Sequence, residues 1–233
     1  MSLESVVPST LVSAPVESAL PNPTVPSGEI EVVYFDLGNV LLDFDHGIAC
    51  RGLASLFETT ETRIRDEVFA SGLEDRYESG DIDTPSFHAI LCEKFGVAPA
   101  LADVCTAASD IFRMRHDTVS ILAQLKGAGM RTGILSNTCE AHWKFVTDGR
   151  YRFLLDLVDH VVLSYEVKAM KPSLVIYAAA AEIAGTIPER IFFMDDRPEN
   201  VAGARAARIH AYLFIGGAQL AEDLRRCGVR FNY

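Results

Sequence analysis

The chain has 233 residues, of which 49% are hydrophobic, and its formal net charge is −11. That length and apolar content suffice for a full hydrophobic core and fit one large domain or a domain with an insertion. The negative charge argues against nucleic acid or an anionic membrane as a partner, since both attract basic proteins, so small-molecule chemistry is favoured.

Residues 1–28 hold half of the ten prolines, among Ser, Thr, Val and Glu, and show no amphipathic period. This composition predicts a disordered leader; the alternative is an extended arm docked on the domain. The leader lacks the basic residues and apolar core of targeting peptides, and no later segment has the pattern of a membrane span. The five cysteines form no CxxC pair, which is typical of a reduced, cytoplasmic protein.

From Ile30 onward, short apolar runs alternate with helical patterns, which is typical of an α/β fold with a Rossmann-like parallel sheet core flanked by helices. Strands are predicted at 30–35, 131–135, 160–163, 190–194 and 209–214. Three of them run into polar residues: Asp36, Ser136-Asn137 and Asp195-Asp196. Because parallel strands end at one edge of a sheet, we expect these side chains to converge there.

Between the first two predicted strands lies a long stretch, residues 46–116, whose pattern is helical and contains no convincing strand. Apolar stripes at helical spacing run through 48–57, 61–70 and 99–114. The stretch is too long for a simple crossover, so we predict an inserted helical-bundle cap over the carboxyl edge of the sheet. The α/β core is then formed by 29–45 and 117–233.

Two helix ends carry specific signals. In the insertion, Thr84 is the predicted N-cap, Pro85 the first helical residue and Gly96 the stop. Near the chain's end, Arg208 follows the predicted helix 198–207, where a left-handed residue, usually glycine, is expected. No function follows from Arg208.

Four short elements lie near these strand ends. They are Asp36-Leu37-Gly38-Asn39-Val40, Leu135-Ser136-Asn137-Thr138, Lys171-Pro172 and Phe193-Met194-Asp195-Asp196-Arg197-Pro198-Glu199-Asn200. In this order they closely resemble the four motifs of the haloacid dehalogenase superfamily of hydrolases, over the chain from about Ile30 to its end. The helical insertion resembles the C1-type cap of that superfamily's first subfamily.

Phosphoryl transfer needs a nucleophile, a cation that neutralises phosphate oxygens, and fixed donors around the moving group. The resemblance implies that Asp36 is the nucleophile and forms an aspartyl-phosphate. It also implies Mg²⁺ held by Asp36, Asp196 and the backbone carbonyl of Gly38, oxygen ligands of the kind that this ion prefers. Asp195 and Asn200 are expected to lie behind these ligands and to act through them or through water.

The resemblance further implies that the Ser136 hydroxyl and the Asn137 amide hold a phosphate oxygen. Lys171 would offset charge between nucleophile and phosphoryl group. For Ser136 the alternative is an ordinary strand-to-helix cap. Lys168 lies three residues before Lys171 without the following proline and helix, so we interpret it as a solvated surface charge.

Gly38 departs from the superfamily pattern. Most of its phosphatases carry an aspartate there, which protonates the leaving oxygen and later activates water, a contribution worth about 10²–10⁴-fold. Three outcomes are open: a good leaving group, another proton donor, or slow turnover. Candidate donors just past the motif are Asp43, Asp45 and His46. His142 and the cap residues Arg76, Tyr77 and Glu78 are further candidates to face substrate, with a packing or helix-end role as the alternative.

The sequence therefore predicts a Mg²⁺-dependent phosphatase of a small phosphorylated metabolite, acting as a monomer or homodimer. A sugar phosphate is favoured, because the run from Asp36 to Asp45 resembles a branch that includes glucose-1-phosphate phosphatase, and an anomeric oxygen is a better leaving group than an ordinary alcohol. A haloacid dehalogenase is the first alternative, although those members lack the acidic pair Asp195-Asp196. A mutase would need the acid that Gly38 removes. A weakly active or non-catalytic phosphate-binding protein is the last alternative.

Overall fold

A five-stranded parallel sheet forms the centre of the protein, whose computed structural model describes residues 29–232. The predicted leader, 1–28, lies outside the described residues. The strands are β1 (Val32–Phe35), β2 (Leu42–Phe44), β3 (Phe112–Met114), β4 (Arg131–Ser136), β5 (His160–Leu163), β6 (Ile191–Asp195) and β7 (His210–Leu213). The sheet has the order β5-β4-β1-β6-β7. The five predicted strands and the α/β fold class are therefore confirmed.

Helices lie in the insertion and on both faces of the sheet. The insertion contains α1 (His46–Leu56), α2 (Glu61–Ile64) with a π-helical continuation over Arg65–Ala70, α3 (Leu73–Glu78), α4 (Thr84–Phe95) and α5 (Leu101–Ser109). The core contains α6 (His116–Gly127), α7 (Glu140–Thr147), α8 (Phe153–Asp156), α9 (Ser164–Val167), α10 (Leu174–Ala184), α11 (Pro198–Ala206) and α12 (Gly217–Arg226). Within residues 29–232, none of these helices combines the length and apolar character needed to cross a membrane.

The sheet is buried on both faces, which explains why its strands are continuous apolar runs. All four residues of β1 are fully buried. Helices α6 and α12 cover one face with side chains that include Ile121 and Leu224. Helices α10 and α11 cover the other with side chains that include Tyr177 and Val201. This packing fixes the position of each strand end and hence the position of the residues that follow it.

The insertion has a separate apolar core, built around Leu53, Phe57, Ile64 and Leu91. Ala141, at the start of α7 in the sheet domain, packs into the same cluster. The helices of the insertion therefore rest on the loop between β4 and α7. The extent of this cap, 46–116, remains a prediction.

The stretch 99–114 is not one helix, contrary to the sequence prediction. Its helix, α5, ends at Ser109, and β3 pairs antiparallel with β2, placing Arg113 opposite Asp43. The expectation that the insertion contains no strand was wrong because the partner of β3 lies at the other end of the insertion. A three-residue strand carries too short a pattern to be recognised without it. The two-stranded sheet of β2 and β3 lies where the chain leaves the core and returns to it.

Asp83, not Thr84, caps α4. The Oδ1 of Asp83 accepts a hydrogen bond from the Ser86 backbone N–H at 2.9 Å. The Thr84 hydroxyl instead donates to Glu140 Oε2 at 2.5 Å and lies 2.6 Å from the Tyr77 hydroxyl. Both residue types cap helices well, and the choice depends on Glu140, which belongs to α7. This contact ties the cap to the core.

Two predicted left-handed positions are confirmed. Gly96 ends α4 with φ 71°, and Arg208 follows α11 with φ 69°. A left-handed conformation costs a non-glycine residue roughly 1–2 kcal/mol. Arg208 forms an ion pair with Glu189 at 2.5 Å, a contact that the sequence does not announce.

Candidate active site

The carboxyl ends of β1, β4 and β6 bring the first, second and fourth motifs together. Phe35 pairs in register with Ile134 on one side and with Met194 on the other. The backbone N–H of Asp36 continues the ladder and donates to the Met194 carbonyl at 3.0 Å. Asp36, Ser136 and Asp195 therefore end neighbouring strands at one edge, as the sequence predicted.

Lys171 joins this edge from the loop before α10. Its side chain is 1% exposed, and its Nζ donates to Asp36 Oδ1 at 2.9 Å, to Asp195 Oδ2 at 2.5 Å and to the Leu135 carbonyl at 3.0 Å. Burial works against the charge, but Asp36 and Asp195 outweigh it and raise the pKa of Lys171 above its usual value. The ammonium is therefore a fixed positive charge beside Asp36.

Asp36 is nearly closed off from solvent, with 7% exposure. Its Oδ1 accepts from the Leu37 backbone N–H at 2.7 Å, which fixes the carboxyl plane. Burial raises the pKa of Asp36 to about 7; Lys171 opposes this rise, and the charges of Asp195 and Asp196 add to it. A cation close to this carboxyl would favour the ionised, nucleophilic form.

Three carboxylates form a group suited to a divalent cation. One oxygen each of Asp36, Asp195 and Asp196 lies within 4.8 Å of the others. Carboxylate oxygens are the ligands that Mg²⁺ prefers, usually with water completing the shell. These residues therefore fit the metal that the sequence predicted.

The oxygens of Asp195 are already engaged by protein groups. Besides Lys171, they accept from the Asn200 amide at 3.0 and 3.1 Å and from the Arg197 backbone N–H at 2.9 Å. Asp195 is fully buried. Its contacts hold Lys171 in place and leave Asp36 and Asp196 as the more accessible carboxylates of the group. Asp195 and Asn200 are therefore hydrogen-bonded to each other beside the candidate ligands, and their action through those ligands stays a prediction.

Asn39 contacts the group, and the sequence analysis gave it no role. Its Nδ2 donates to Asp196 Oδ2 at 2.9 Å, and its backbone is left-handed with φ 54°. Asparagine tolerates this conformation better than most residues. The signal was an asparagine directly after Gly38 in the turn, but its partner lies just after β6 and is revealed only by the fold.

Asn137, in the second motif, is hydrogen-bonded to Lys171, in the third. Asn137 Oδ1 accepts from the Lys171 backbone N–H at 2.7 Å, and its Nδ2 donates to the Lys171 carbonyl at 3.0 Å. The Asn137 side chain thus positions Lys171, and its backbone N–H is the group left to meet an anion. Ser136 is 2% exposed, with Oγ 3.2 Å from the Asn137 carbonyl.

A cavity of about 60 Å³ lies between this edge and the cap. Its walls combine apolar groups with two hydroxyl residues, two histidines and one glutamate from the insertion. They are formed by Leu37, Gly38, Phe44, His46, Glu78, Ile111, Phe112, Ser136, Asn137, Thr138 and His142. Glu78, from the insertion, therefore lines the same cavity as Gly38.

The two histidines of the cavity are packed among aromatic rings. The His46 ring lies 4.6 Å from the Phe69 ring and 4.9 Å from the Phe44 ring, and burial together with His142 lowers its pKa. His142 meets the Phe112 ring edge-on at 5.3 Å, and its Nε2 lies 3.3 Å from the Ala108 carbonyl. Both rings shape the wall of the cavity.

The other candidate donors lie elsewhere. Asp43 is exposed and forms an ion pair with Arg115 at 2.8 Å, and Asp45 is exposed and caps α1 through the Gly47 backbone N–H. In the cap, Arg76 is exposed and Tyr77 is buried, with its hydroxyl turned toward α7. None of these four residues lines the cavity.

Lys168 is exposed, as expected for a surface charge, and takes a left-handed conformation at the end of α9. Its Nζ lies 3.4 Å from the Gly80 carbonyl in the cap. It is separate from the carboxylate group, so Lys171 is the lysine that the fold brings to the site.

The parallel sheet, its acidic edge and the buried lysine define an α/β protein with a candidate active site at the carboxyl ends of its strands. The model of the haloacid dehalogenase-like hydrolase family matches residues 30–208. The chain therefore belongs to this family, and the resemblance drawn from the four motifs is confirmed.

Solved structures agree over most of the chain. A haloacid dehalogenase family enzyme from Bacteroides thetaiotaomicron is 26% identical and superposes with a TM-score of 0.73, covering 82% of this chain and 96% of that one. The same enzyme in complex with magnesium and inorganic phosphate gives a TM-score of 0.72 at 26% identity, covering 81% and 96%. The overall fold is thus shared with an enzyme of this family.

Curated relatives match over shorter segments. A β-phosphoglucomutase from Mycobacterium bovis is 31% identical over 110 residues, which is 46% of this chain and 42% of the relative. A phosphatase from Mycobacterium tuberculosis is 31% identical over 114 residues, which is 47% of this chain and 50% of the relative. The chain spans about half the length of the curated relatives that it matches.

Proposed function

We propose that this hydrolase is a Mg²⁺-dependent phosphatase that transfers the phosphoryl group of a small metabolite to Asp36 and then to water. The observation that carries the proposal is the contact of Lys171 Nζ with both Asp36 and Asp195 at the acidic edge of the sheet. One buried cation and three close carboxylates form an electrostatic arrangement suited to an incoming dianion only when a metal offsets the negative charge.

Each residue at this edge has a distinct task in the proposal. Asp36 attacks phosphorus, and Lys171 neutralises charge between the nucleophile and the phosphoryl oxygens. Ser136 Oγ and the Asn137 backbone N–H bind a phosphoryl oxygen. These groups are held by the sheet and the loop before α10, so they need little reorganisation during the reaction.

Asp36, Asp196 and the Gly38 carbonyl would hold Mg²⁺, with Asn39 and Asp195 orienting the ligands from behind. The bound ion supplies charge neutralisation and orientation of the phosphoryl oxygens. The proximity of the carboxylate oxygens, which lie within 4.8 Å of one another, supports this assignment. The magnesium and phosphate in the Bacteroides enzyme provide independent support.

Dehalogenation is the less favoured alternative. It uses the same aspartate as nucleophile but has no need of a cation for a phosphoryl dianion. Two added carboxylates beside Asp36 would only repel the carboxylate of a haloacid. A mutase is a further alternative, favoured by the β-phosphoglucomutase match, and opposed by Gly38.

A sugar phosphate is the proposed substrate class. An anomeric oxygen leaves more readily than an alkyl oxygen, which reduces the demand on an acid catalyst.

The test is phosphate release from a panel of phosphorylated sugars, nucleotides and small acids, with Mg²⁺ and with chelator. Asp36→Asn serves as the blank, because it keeps the shape of the side chain and removes the nucleophile. We expect Mg²⁺-dependent release that is lost in the variant. Halide release from a chlorinated acid without metal, and no phosphate release from the panel, would contradict the proposal.

A further inference from the structure

We propose that Glu78, from the cap, is the catalytic acid and base of this site and replaces the aspartate that Gly38 lacks. The inference rests on the phosphatase function proposed above. It assigns the proton transfers, which that function leaves open, to a residue from a different domain of the fold.

The first observation is the position of Glu78. It lines the same cavity of about 60 Å³ as Gly38, Ser136 and Asn137. Among the acidic residues in the part of the chain that the structure describes, it is the one in the wall of this cavity. Its side chain therefore faces the space next to the position from which the usual aspartate would act.

The second observation is that the backbone of Glu78 is linked by hydrogen bonds, through Ser164, to the loop after β4. Ser164 Oγ lies 2.6 Å from the Glu78 carbonyl and accepts from the Thr138 backbone N–H at 2.9 Å. Ser164 is fully buried. One hydroxyl thus joins the end of α3 to the loop that follows Ser136 at the end of β4. A cap residue is therefore held at a fixed place relative to the core.

The third observation concerns the turn after Glu78. Gly80 has φ 75°, and a Cβ at this position would lie 2.3 Å from the Tyr165 carbonyl oxygen. Only glycine permits this approach of the cap backbone to the core backbone. This close contact two residues past Glu78 holds the end of α3 against the core, beside the cavity that Glu78 lines.

The charges that face Glu78 come from four parts of the fold. Glu74 and Asp75 lie on its own helix, His142 on α7, Lys171 on the loop before α10 and Arg197 on the loop after β6. Burial raises the pKa of Glu78; His142, Lys171 and Arg197 oppose the rise, and Asp75 adds to it. Glu74, one helical turn away, also has a raised pKa, of about 8, because of burial and the Glu78 charge.

A carboxyl whose pKa is raised can hold a proton near neutral pH and release it to a leaving oxygen. His46, the nearest alternative in the cavity, has a lowered pKa and is stacked on Phe69 and Phe44. An imidazole with a lowered pKa holds its second proton less readily. Glu78 is therefore better suited to donate.

The proton transfers balance over the two steps. In the first, a bond forms between Asp36 Oδ and phosphorus, the bond from phosphorus to the leaving oxygen breaks, and that oxygen takes the proton of the Glu78 carboxyl. In the second, a water oxygen attacks phosphorus, the Glu78 carboxylate takes a proton from the water, and the bond between phosphorus and Asp36 breaks. The products are the alcohol and inorganic phosphate, with Asp36 ionised and Glu78 protonated again.

The test compares Glu78→Gln on two esters, an alkyl phosphate with a poor leaving group and nitrophenyl phosphate with a good one. We expect kcat/KM to fall by about 100-fold or more on the alkyl ester and by only about 3-fold on the aryl ester. Glu93→Gln makes the same change at an exposed position of α4 that does not line the cavity, and it is expected to leave both rates within about 3-fold of wild type. Formate added to Glu78→Ala is expected to restore part of the alkyl turnover, a rescue that a structural role would not give.

Equal loss on both esters, or no loss, would overturn the role of Glu78 while leaving the phosphatase function intact. A rise in KM with kcat unchanged would also overturn it, because it would indicate a carboxylate that only binds substrate. Wild-type protein that releases phosphate from neither ester would overturn the proposed function itself. Thermal unfolding of each variant shows whether it is folded, and the formate rescue keeps the test decisive if Glu78→Gln unfolds.

Discussion

The Nζ of Lys171 lies 2.9 Å from Oδ1 of Asp36, at the end of the central strand, with both side chains almost fully buried. An ion pair in this environment is costly to desolvate and is held together by the sheet around it. Its position at the carboxyl edge of β1, rather than in the apolar core, indicates a role in chemistry more than in stability.

Replacing Lys171 by Met is expected to lower the free energy of unfolding by about 3 kcal/mol or more at pH 8, because Asp36 and Asp195 lose their buried counter-charge. The loss of stability is expected to be smaller at pH 5, where protonation of Asp36 relieves its repulsion with Asp195. Urea denaturation at the two pH values measures it. Lys168→Met, at an exposed lysine, is the matched control and is expected to change stability by less than about 0.5 kcal/mol. Equal effects of the two substitutions would contradict the account of Lys171.

Asn39→Ala is expected to weaken Mg²⁺ binding by about 10-fold or more, because the amide that orients Asp196 is lost. Asn39→Gly removes the same amide but tolerates φ 54°, so it is expected to weaken Mg²⁺ binding equally while remaining the more stable variant. Calorimetric titration with Mg²⁺ and thermal unfolding separate the two effects. Unchanged Mg²⁺ affinity in both variants would show that Asn39 does not act through Asp196.

Gly38→Asp is expected to destabilise the protein by about 1–3 kcal/mol, because a Cβ at Gly38 would lie 2.8 Å from the ring of Phe44. Phe44→Leu opens this space. In the Phe44→Leu background, Gly38→Asp is expected to raise turnover of alkyl phosphates more than that of aryl phosphates, and to compensate for Glu78→Gln. Gly38→Asp, Phe44→Leu, the double variant and the double variant with Glu78→Gln are compared by unfolding and by their rates on alkyl and aryl phosphates. If the new aspartate brings no gain on alkyl esters in the double variant, the missing acid is not what limits this site.

The raised pKa of Glu78 sets a pH dependence. Because the acid must be protonated, kcat/KM on alkyl phosphates is expected to fall as pH rises through that pKa, above the ordinary range of a glutamate. Asp75→Asn removes the charge that adds to the pKa of Glu78, so the fall is expected to begin at lower pH. Rate profiles from pH 5 to about 10 test this. A profile that the substitution leaves unmoved would contradict the coupling.

The raised pKa of Glu74 predicts a change in stability. A carboxyl with a folded-state pKa above its unfolded value of 4.5 binds more protons when folded. Its contribution to the free energy of unfolding is therefore complete at low pH and is lost as pH rises to about 8. Glu74→Gln is therefore expected to be more stable than wild type at pH 9 and to lose that advantage at pH 5. Denaturant titrations at both pH values measure the difference. An advantage that is the same at pH 5 and pH 9 would exclude titration of Glu74 as its source.

The sequence was sufficient for the features that are encoded locally. Apolar runs predicted the five strands of the sheet, and the residues directly after them predicted that Asp36, Ser136 and Asp195 would meet. Gly96 and Arg208 were predicted from helix ends. Each of these depends on residues near one another in the chain, and parallel strand ends need no knowledge of side-chain contacts to be placed at one edge.

The features that the sequence missed depend on distant partners. Strand β3 exists because β2 lies beside it, and Asp83 caps α4 because Glu140 occupies Thr84. The contact of Asn39 with Asp196 joins two motifs through one side-chain pair. Glu78 was one of several cap residues with an equally good structural explanation, and the cavity shared with Gly38 is what distinguishes it.

The most direct test of the central claim is to detect the phosphoryl group on Asp36. The protein is mixed with Mg²⁺ and a phosphorylated sugar that it hydrolyses, quenched in acid within the first turnovers and digested for mass spectrometry. We predict a phosphoryl adduct on the peptide that contains Asp36, absent from Asp36→Asn. Phosphate release by wild type without such an adduct, and undiminished release by Asp36→Asn, would contradict nucleophilic attack by Asp36.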